Sequence, residues 1–319
     1  MNALYLAADI GGTNSRVAVA ERIDGRWQIR ARGRYPSQHY PSAEAMFHEF
    51  LGTWSGPAPL AAGVAVAGPV IEGRTRLTNV SWEVNASTLA TALGNLPLAL
   101  INDFEAVGRG VDSLAPEDLV TLQPGVPHPN APRLLVGAGT GLGVSILVPT
   151  PASAIALPSE GGHGDFAPEG ELEIALMRHL VDVHGHASWE RVVSGLGLEA
   201  TYAFVHSHEG HAPGSLTAAE ITHAALDGSD PWAVRTLDIF VSAYGRFTGN
   251  IALAVLPRGG IYIAGGIAPR IVPKLREGAF LHGVTAKGRF TGLMAEMPVH
   301  LVTNDDVGMF GALNAAAAL

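Results

Sequence analysis

The sequence predicts an α/β protein made of two related halves that face each other, with a mainly parallel sheet carrying helices on its faces. Three observations lead there. Over roughly the first hundred residues, short apolar runs alternate with amphipathic stretches in the order strand, strand, helix, strand, helix, strand, helix; such alternation indicates parallel strands covered by helices. A strand, a glycine-rich turn and a second strand at 3–20 return as the same pattern at 134–148, the mark of a repeated supersecondary unit. The chain has 319 residues, 47 % apolar and 15 % charged, enough core for about two domains at roughly 100–200 residues each.

The elements follow in order. Residues 3–10 (ALYLAADI) are a short apolar run ending at Asp9, followed by Gly11-Gly12-Thr13-Asn14 and a second run at 17–20, which reads as two strands on a tight turn. Residues 42–54 carry Ala45, Met46, Phe47, Phe50 and Leu51 at helical spacing. A strand over 60–67 closes at Gly68-Pro69, 86–94 reads as a helix, and the strand 96–101 ends at Asn102-Asp103, with a helix starting near Glu105. The proline-rich stretch 123–133 is a linker or surface loop. After it come the strand 134–136, the turn 137–143 and the strand 144–148; then helical periodicity over 169–183, 196–207, 217–227 and 231–256. A strand at 261–264 closes on Gly265-Gly266, 298–303 is a last strand, and 307–318 a terminal helix rich in Gly and Ala.

Composition excludes several functions. A net charge of −9 and only two lysines, Lys274 and Lys287, argue against a nucleic-acid partner. Small anionic ligands stay open, because backbone amides and a bound cation hold phosphates without many lysines. No cysteine is present, which removes disulfides, zinc-thiolate sites and thiol nucleophiles together. The N-terminal run MNALYLAADIGG has no basic segment ahead of it and breaks after a few residues, so it reads as a strand rather than a signal. No apolar run reaches the ~20 residues that span a bilayer. The expectation is a soluble, cytoplasmic protein.

Chemistry concentrates in a few places. Glycine-rich turns between strands let backbone N–H groups approach phosphate. Asp9, just before the first turn, suits a Mg²⁺ held through water beside phosphate oxygens, and Thr13 and Asn14 add side-chain donors. A plain hairpin is the competing reading. The second turn, Gly137 to Gly143, has four glycines and Thr140. No lysine follows it as in a Walker A loop, and its flanking strands do not suit a dinucleotide fingerprint. Two such turns on two halves suit one polyphosphate gripped from both sides. Gly265-Gly266 offers bare backbone for a flat adenosine, although glycine pairs also pack helices. Asn102-Asp103 at a strand end is where a catalytic base belongs in an α/β protein; it also suits a helix cap. Ser159-Glu160-Gly161-Gly162-His163-Gly164-Asp165 can wrap a small polar ligand. Metal binding and a surface loop compete there, the spacing fitting no standard zinc motif. Alone, Glu190 reads as a surface glutamate, and His184 and His186 as solvated.

Together and in this order, these pieces resemble the bacterial glucokinase family. The matching stretches are D-I-G-G-T-N (9–14), L-I-N-D-F (100–104), G-A-G-T-G-L-G (137–143), E-G-G-H-G-D-F-A-P (160–168), S-W-E-R-V-V-S-G (188–195) and I-A-G-G-I-A-P-R (263–270), with L-T-N-V-S-W (77–82) and K-G-R-F (287–290) also similar. The resemblance runs from Asp9 to the Gly308–Gly311 region. It implies an actin/hexokinase/Hsp70-type, ribonuclease H-like fold of two α/β domains around an active-site cleft. The expected division is a small domain over 1–110, with the helix at about 305–319 packing back onto it, and a large domain over 111–319. Asp103 would be the general base, and Asn102, Asp103, Glu160, His163 and Glu190 would bind the sugar. Asp9 would organise Mg²⁺. ATP would lie on Gly11, Gly12, Thr13 and Asn14, on Gly139, Thr140 and Gly141, and on Gly265 and Gly266. Ala138 stands where proline is common in the family and Gly164 where a larger residue is usual. A related repressor/kinase group with a Cys-rich zinc loop matches less well.

The implied reaction is phosphoryl transfer from ATP to the 6-hydroxyl of glucose, with sugar-driven domain closure excluding water and a homodimer by analogy with the family. Two other readings stay open: a kinase for fructose, mannose or an N-acetylated amino sugar, and a sugar sensor that binds without turnover. The sensor is disfavoured by the acidic charge, by the candidate base and by the lack of a DNA-binding segment ahead of Leu4. A chaperone-like scaffold would need a peptide-binding domain beyond the two lobes.

Overall fold

The computed structural model describes residues 3–77, 80–151 and 154–319. Thr78 and Asn79 of the L-T-N-V-S-W stretch lie outside the described residues. Two compact units form: Met1–Pro116 with Ala154–Pro158 and Asn304–Leu319, and Glu117–Ser153 with Ser159–Thr303.

The first unit is built on β1 (Leu4–Ile10), β2 (Asn14–Ile23), β3 (Arg26–Pro36), α1 (Ala43–Thr53), β4 (Ala61–Val66), the small pair β5 (Arg74–Arg76) and β6 (Glu83–Asn85), α2 (Ala86–Ala92), β7 (Leu98–Asn102) and α3 (Asp103–Gly110). Its main sheet runs β3-β2-β1-β4-β7. The β1–β4 and β4–β7 pairs are parallel, whereas β1–β2 and β2–β3 are antiparallel. The sheet is therefore mixed rather than mainly parallel, because the Gly11–Thr13 turn reverses the chain and two antiparallel strands follow, β2 and then the edge strand β3. β1 and β4 are buried on both faces, which is why they read as continuous apolar runs. Leu6, Ala8 and Ile10 pack towards Met46, Phe47 and Phe50. Ala7 and Ala65 point the other way, into a cluster with Met309, Ala312 and Leu313.

The second unit holds β8 (Leu119–Gln123), β9 (Arg133–Ala138) and β10 (Leu142–Pro149). A short strand, β11 (Ala154–Ser159), leads into the Glu160 segment. Then come α4 (Gly170–His184), α5 (Gly195–His208), α6 (Ala218–Asp227), α7 (Pro231–Val255), β12 (Gly260–Ala264), α8 (Val272–Arg276), α9 (Ala279–Thr285), α10 (Thr291–Ala295) and β13 (Val299–Val302). Strands neighbour one another in the order β10-β9-β12-β13-β8. As in the first unit, an antiparallel hairpin, here β9–β10, is followed by parallel partners, β12 and then β13. The repeat seen in the sequence is thus a repeat of topology. A core of Leu134, Val136, Phe240, Tyr244, Phe247 and Phe280 lies around α7.

The chain ends in α11 (Val307–Ala317), which belongs to the first unit and packs on α3, β1 and β4. Among the described residues no helix is long and apolar enough to cross a membrane.

Candidate active site

In the first unit the candidate residues lie at one end of the sheet. Ile10 is in register with Val66, and Val66 with Asn102. The carboxyl ends of β1, β4 and β7 therefore finish together, bringing Asp9, the Gly11–Asn14 turn and the Asn102-Asp103 pair to the same edge. That edge is where ligands bind in α/β sheets.

Of the Asn102-Asp103 pair, the hydrogen bonds identify which residue is the cap. Asn102 is the cap of α3: its Oδ1 accepts from the N–H groups of Phe104 at 2.8 Å and Glu105 at 3.1 Å, and its Nδ2 donates to the Gly68 carbonyl at 3.0 Å. Asp103 is then the first helical residue, half-buried, with Oδ1 accepting from Phe104 N–H at 2.8 Å. The asparagine takes the capping work and the aspartate stands beside it at the strand end.

The first turn is closed by Gly11 N–H donating to the Asn14 carbonyl at 3.1 Å. A Cβ on Gly11 would lie 2.9 Å from that same oxygen, so the turn needs glycine there. Asp9 Oδ2 accepts from Arg16 Nη2 at 2.6 Å, and Arg16 also reaches the Asp305 carbonyl at 3.0 Å and Asp306 Oδ1 at 3.7 Å. Burial works against the Arg16 charge, but Asp9 and then Asp306 and Asp305 outweigh it and hold the guanidinium above its ordinary value. Among the described residues no group of three or more His, Cys, Asp or Glu side chains converges to cage a metal. One partly exposed carboxylate beside a glycine turn fits a hydrated Mg²⁺ that arrives with phosphates and meets the protein through few ligands.

In the second unit the turn 139–141 is closed by Gly139 N–H donating to the Gly141 carbonyl at 2.8 Å, and Gly195 N–H donates to the Gly139 carbonyl at 2.8 Å. The start of α5 is therefore tied to the turn. Gly265 lies at φ +84°, and a Cβ there would sit 2.4 Å from the Ala138 carbonyl oxygen, whereas Gly266 opens to free space. Only glycine allows this close approach at the end of β12. Ala138 keeps an N–H that donates to Tyr244 Oη at 3.3 Å, a bond proline would lack.

Glu160, His163 and Glu190 come together. His163 Nε2 lies 3.9 Å from Glu160 Oε2, and His163 Nδ1 lies 3.9 Å from Glu190 Oε1. The backbone arranges this: Trp189 N–H donates to the Gly164 carbonyl at 3.0 Å and Phe166 N–H to the Ala187 carbonyl at 2.9 Å, laying 164–166 against 187–189. Gly162 presses on β10, where a Cβ would meet the Leu142 carbonyl oxygen at 2.2 Å. Glu190 Oε2 accepts from Leu142 N–H at 2.8 Å and would be 2.5 Å from a Cβ on Gly141. The glutamate that reads as a surface residue is thus seated on the second glycine turn. A cavity of about 60 Å³ beside it is lined by Thr140, Glu190, Arg191 and Ser194 among others. His186 pairs with Asp165 at 2.7 Å, and both side chains are exposed.

Three contributors escape the sequence. Arg16 is visible only once β1 and β2 are in register. Ser37 touches the first turn from the end of β3. Arg246, on α7, binds Glu169 at 3.0 Å and Glu173 at 2.5 Å and so anchors the chain just beyond the Glu160–Pro168 loop. Burial pushes the Glu173 carboxyl up even against the Arg246 charge.

A family model described as Glucokinase matches residues 6–319. A glucokinase of Nostoc punctiforme is 39 % identical, with 99 % of each chain covered. The crystal structure of a glucokinase from an Antarctic psychrotroph superposes with a TM-score of 0.89 at 33 % identity over all of both chains. A Streptomyces griseus ROK family glucokinase in complex with glucose and AMPPNP shares the fold at a TM-score of 0.69 and 19 % identity, over 99 % of this chain and 100 % of its own.

Proposed function

The chain belongs to the glucokinase family, and from that premise we propose that it transfers the γ-phosphoryl group of ATP to the 6-hydroxyl of glucose, with Asp103 as general base. The observation that carries the reading is the seat of Glu190, which meets the second glycine turn through Leu142 N–H and meets His163 with its other oxygen. One side chain is shared between a phosphate-type turn and a cluster suited to sugar hydroxyls.

Asp103 takes the proton of the 6-hydroxyl as that oxygen bonds to the γ-phosphorus, and the bond from phosphorus to the β,γ-bridging oxygen breaks to release ADP. Base assistance of this kind contributes about 10²–10⁴-fold. Asn102, Glu160, His163 and Glu190 orient the sugar; a ligand lacking a partnered hydroxyl would cover one of these polar groups without pairing it, at a cost of about 1–3 kcal/mol each. N–H groups of the turns at 11–14 and 139–141 stabilise phosphate charge, and Gly265-Gly266 receives the adenosine. Asp9 would hold Mg²⁺ through water, and the bound ion would supply further neutralisation of phosphate charge. On family resemblance alone, the reading extends to the 1–110 and 111–319 division into small and large domains, and to a cytoplasmic homodimer.

A hexose panel tests the substrate. With Mg·ATP, glucose is expected to give the highest kcat/KM among glucose, fructose, mannose and N-acetylglucosamine. A preference for another hexose would keep the chemistry and move the specificity to the Glu160–His163 loop. Tight glucose binding with no product from any sugar would favour a sensor.

A further inference from the structure

We propose that Ser37 is a positioning residue for the nucleotide: it sets the direction of the N–H donors in the first glycine turn. This rests on the reading that the turn takes phosphate. Ser37 follows Pro36 at the end of β3 and is fully buried, as is Ser15. Its N–H donates to the Thr13 carbonyl at 3.0 Å, and its Oγ donates to the Gly11 carbonyl at 2.7 Å. With the hydroxyl proton committed to Gly11, the Ser15–Ser37 contact at 2.9 Å leaves Ser15 Oγ as the donor. The order Ser15 to Ser37 to Gly11 is thus fixed.

The consequence follows from peptide geometry. The backbone has no cis peptide bond among the described residues. In a planar trans peptide the carbonyl and the N–H of the next residue point in opposite directions. Turning the Gly11 and Thr13 carbonyls toward Ser37 therefore turns the N–H groups of Gly12 and Asn14 away from it. Those are the donors a phosphate-binding turn must present. Pro36 faces Asn14 in the β2–β3 register and has no N–H of its own, so the strand's end brings a hydroxyl and an amide to the turn at the next residue. No motif within 9–14 carries this information; it arrives from 22 to 26 residues downstream.

The test is binding of Mg·AMPPNP by calorimetry to wild type, Ser37→Ala and Ser15→Ala, with thermal melting and the two Michaelis constants. Ser15→Ala removes a neighbouring buried hydroxyl but leaves the Ser37–Gly11 bond, so it reports the structural cost alone. Ser37→Ala is expected to weaken AMPPNP binding roughly three- to tenfold, the worth of one hydrogen bond, and to raise KM for ATP but not for glucose. Ser15→Ala should leave AMPPNP affinity within about twofold of wild type. Unchanged AMPPNP affinity in Ser37→Ala, or equal weakening in both variants, overturns the proposal. Wild-type protein that binds no AMPPNP contradicts both this assignment and the reaction, whereas binding without hexose phosphorylation contradicts the reaction alone.

Discussion

Asp103→Asn is expected to lower kcat by about 10²–10⁴-fold while glucose affinity and melting temperature stay close to wild type. The fold should tolerate the change because Asn102, not Asp103, caps α3 through the Phe104 and Glu105 amides. An asparagine at 103 also keeps an oxygen for the Phe104 N–H that Asp103 accepts at 2.8 Å. What it lacks is a carboxylate that takes up a proton. Steady-state kinetics, glucose titration and a melting curve on the same preparation separate these effects. A variant with more than about a tenth of wild-type kcat would mean that the base is elsewhere.

Gly311→Ala is expected to have the largest effect on stability. α11 touches its neighbours through glycine backbone: a Cβ on Gly311 would lie 1.7 Å from the Ala106 carbonyl oxygen, one on Gly110 1.8 Å from that of Val307, and one on Gly63 1.8 Å from that of Ala312. The obstacle in each case is main chain, so no side-chain rotation relieves it, and α11 must move off α3. Overpacking of this kind costs on the order of 3 kcal/mol, a fall of roughly 4–5 °C in melting temperature for a chain of this length. Gly52→Ala in α1 is the control with the opposite sign. Nothing lies within 4 Å of its Cβ, so the same methyl should stabilise by about 0.5–1 kcal/mol through helix propensity. Thermal melts of the two variants check the pair.

The parts of the fold legible in the sequence are those whose local pattern and tertiary environment agree. β1 and β4 are apolar without interruption because both faces are covered, and α7 shows its apolar stripe over 25 residues. β3 was hidden by its charge. Arg26, Arg30, Arg32 and Arg34 alternate with Trp27, Ile29, Ala31 and Tyr35, which is the period of an edge strand with one face in water. β8 and the short helices α8 to α10 are five to seven residues long, too brief for periodicity to register. The site divides the same way. The glycine turns and the Asn-Asp pair are contiguous and legible. The roles of Arg16, Ser37 and Arg246 depend on strand register and helix packing, which no window of sequence contains. That Asn102 rather than Asp103 caps α3 needed the side-chain bonds themselves, since both residue types cap well.

The central claim, phosphoryl transfer to a sugar hydroxyl, is tested most directly by measuring ADP and sugar phosphate together in one reaction of wild-type protein with Mg·ATP and glucose, with the phosphorylated position read by ³¹P–¹H NMR. The account predicts one glucose 6-phosphate for each ADP and negligible ADP without sugar. ADP released without sugar phosphate, a phosphate on another carbon, or no ADP at all with glucose bound would contradict it.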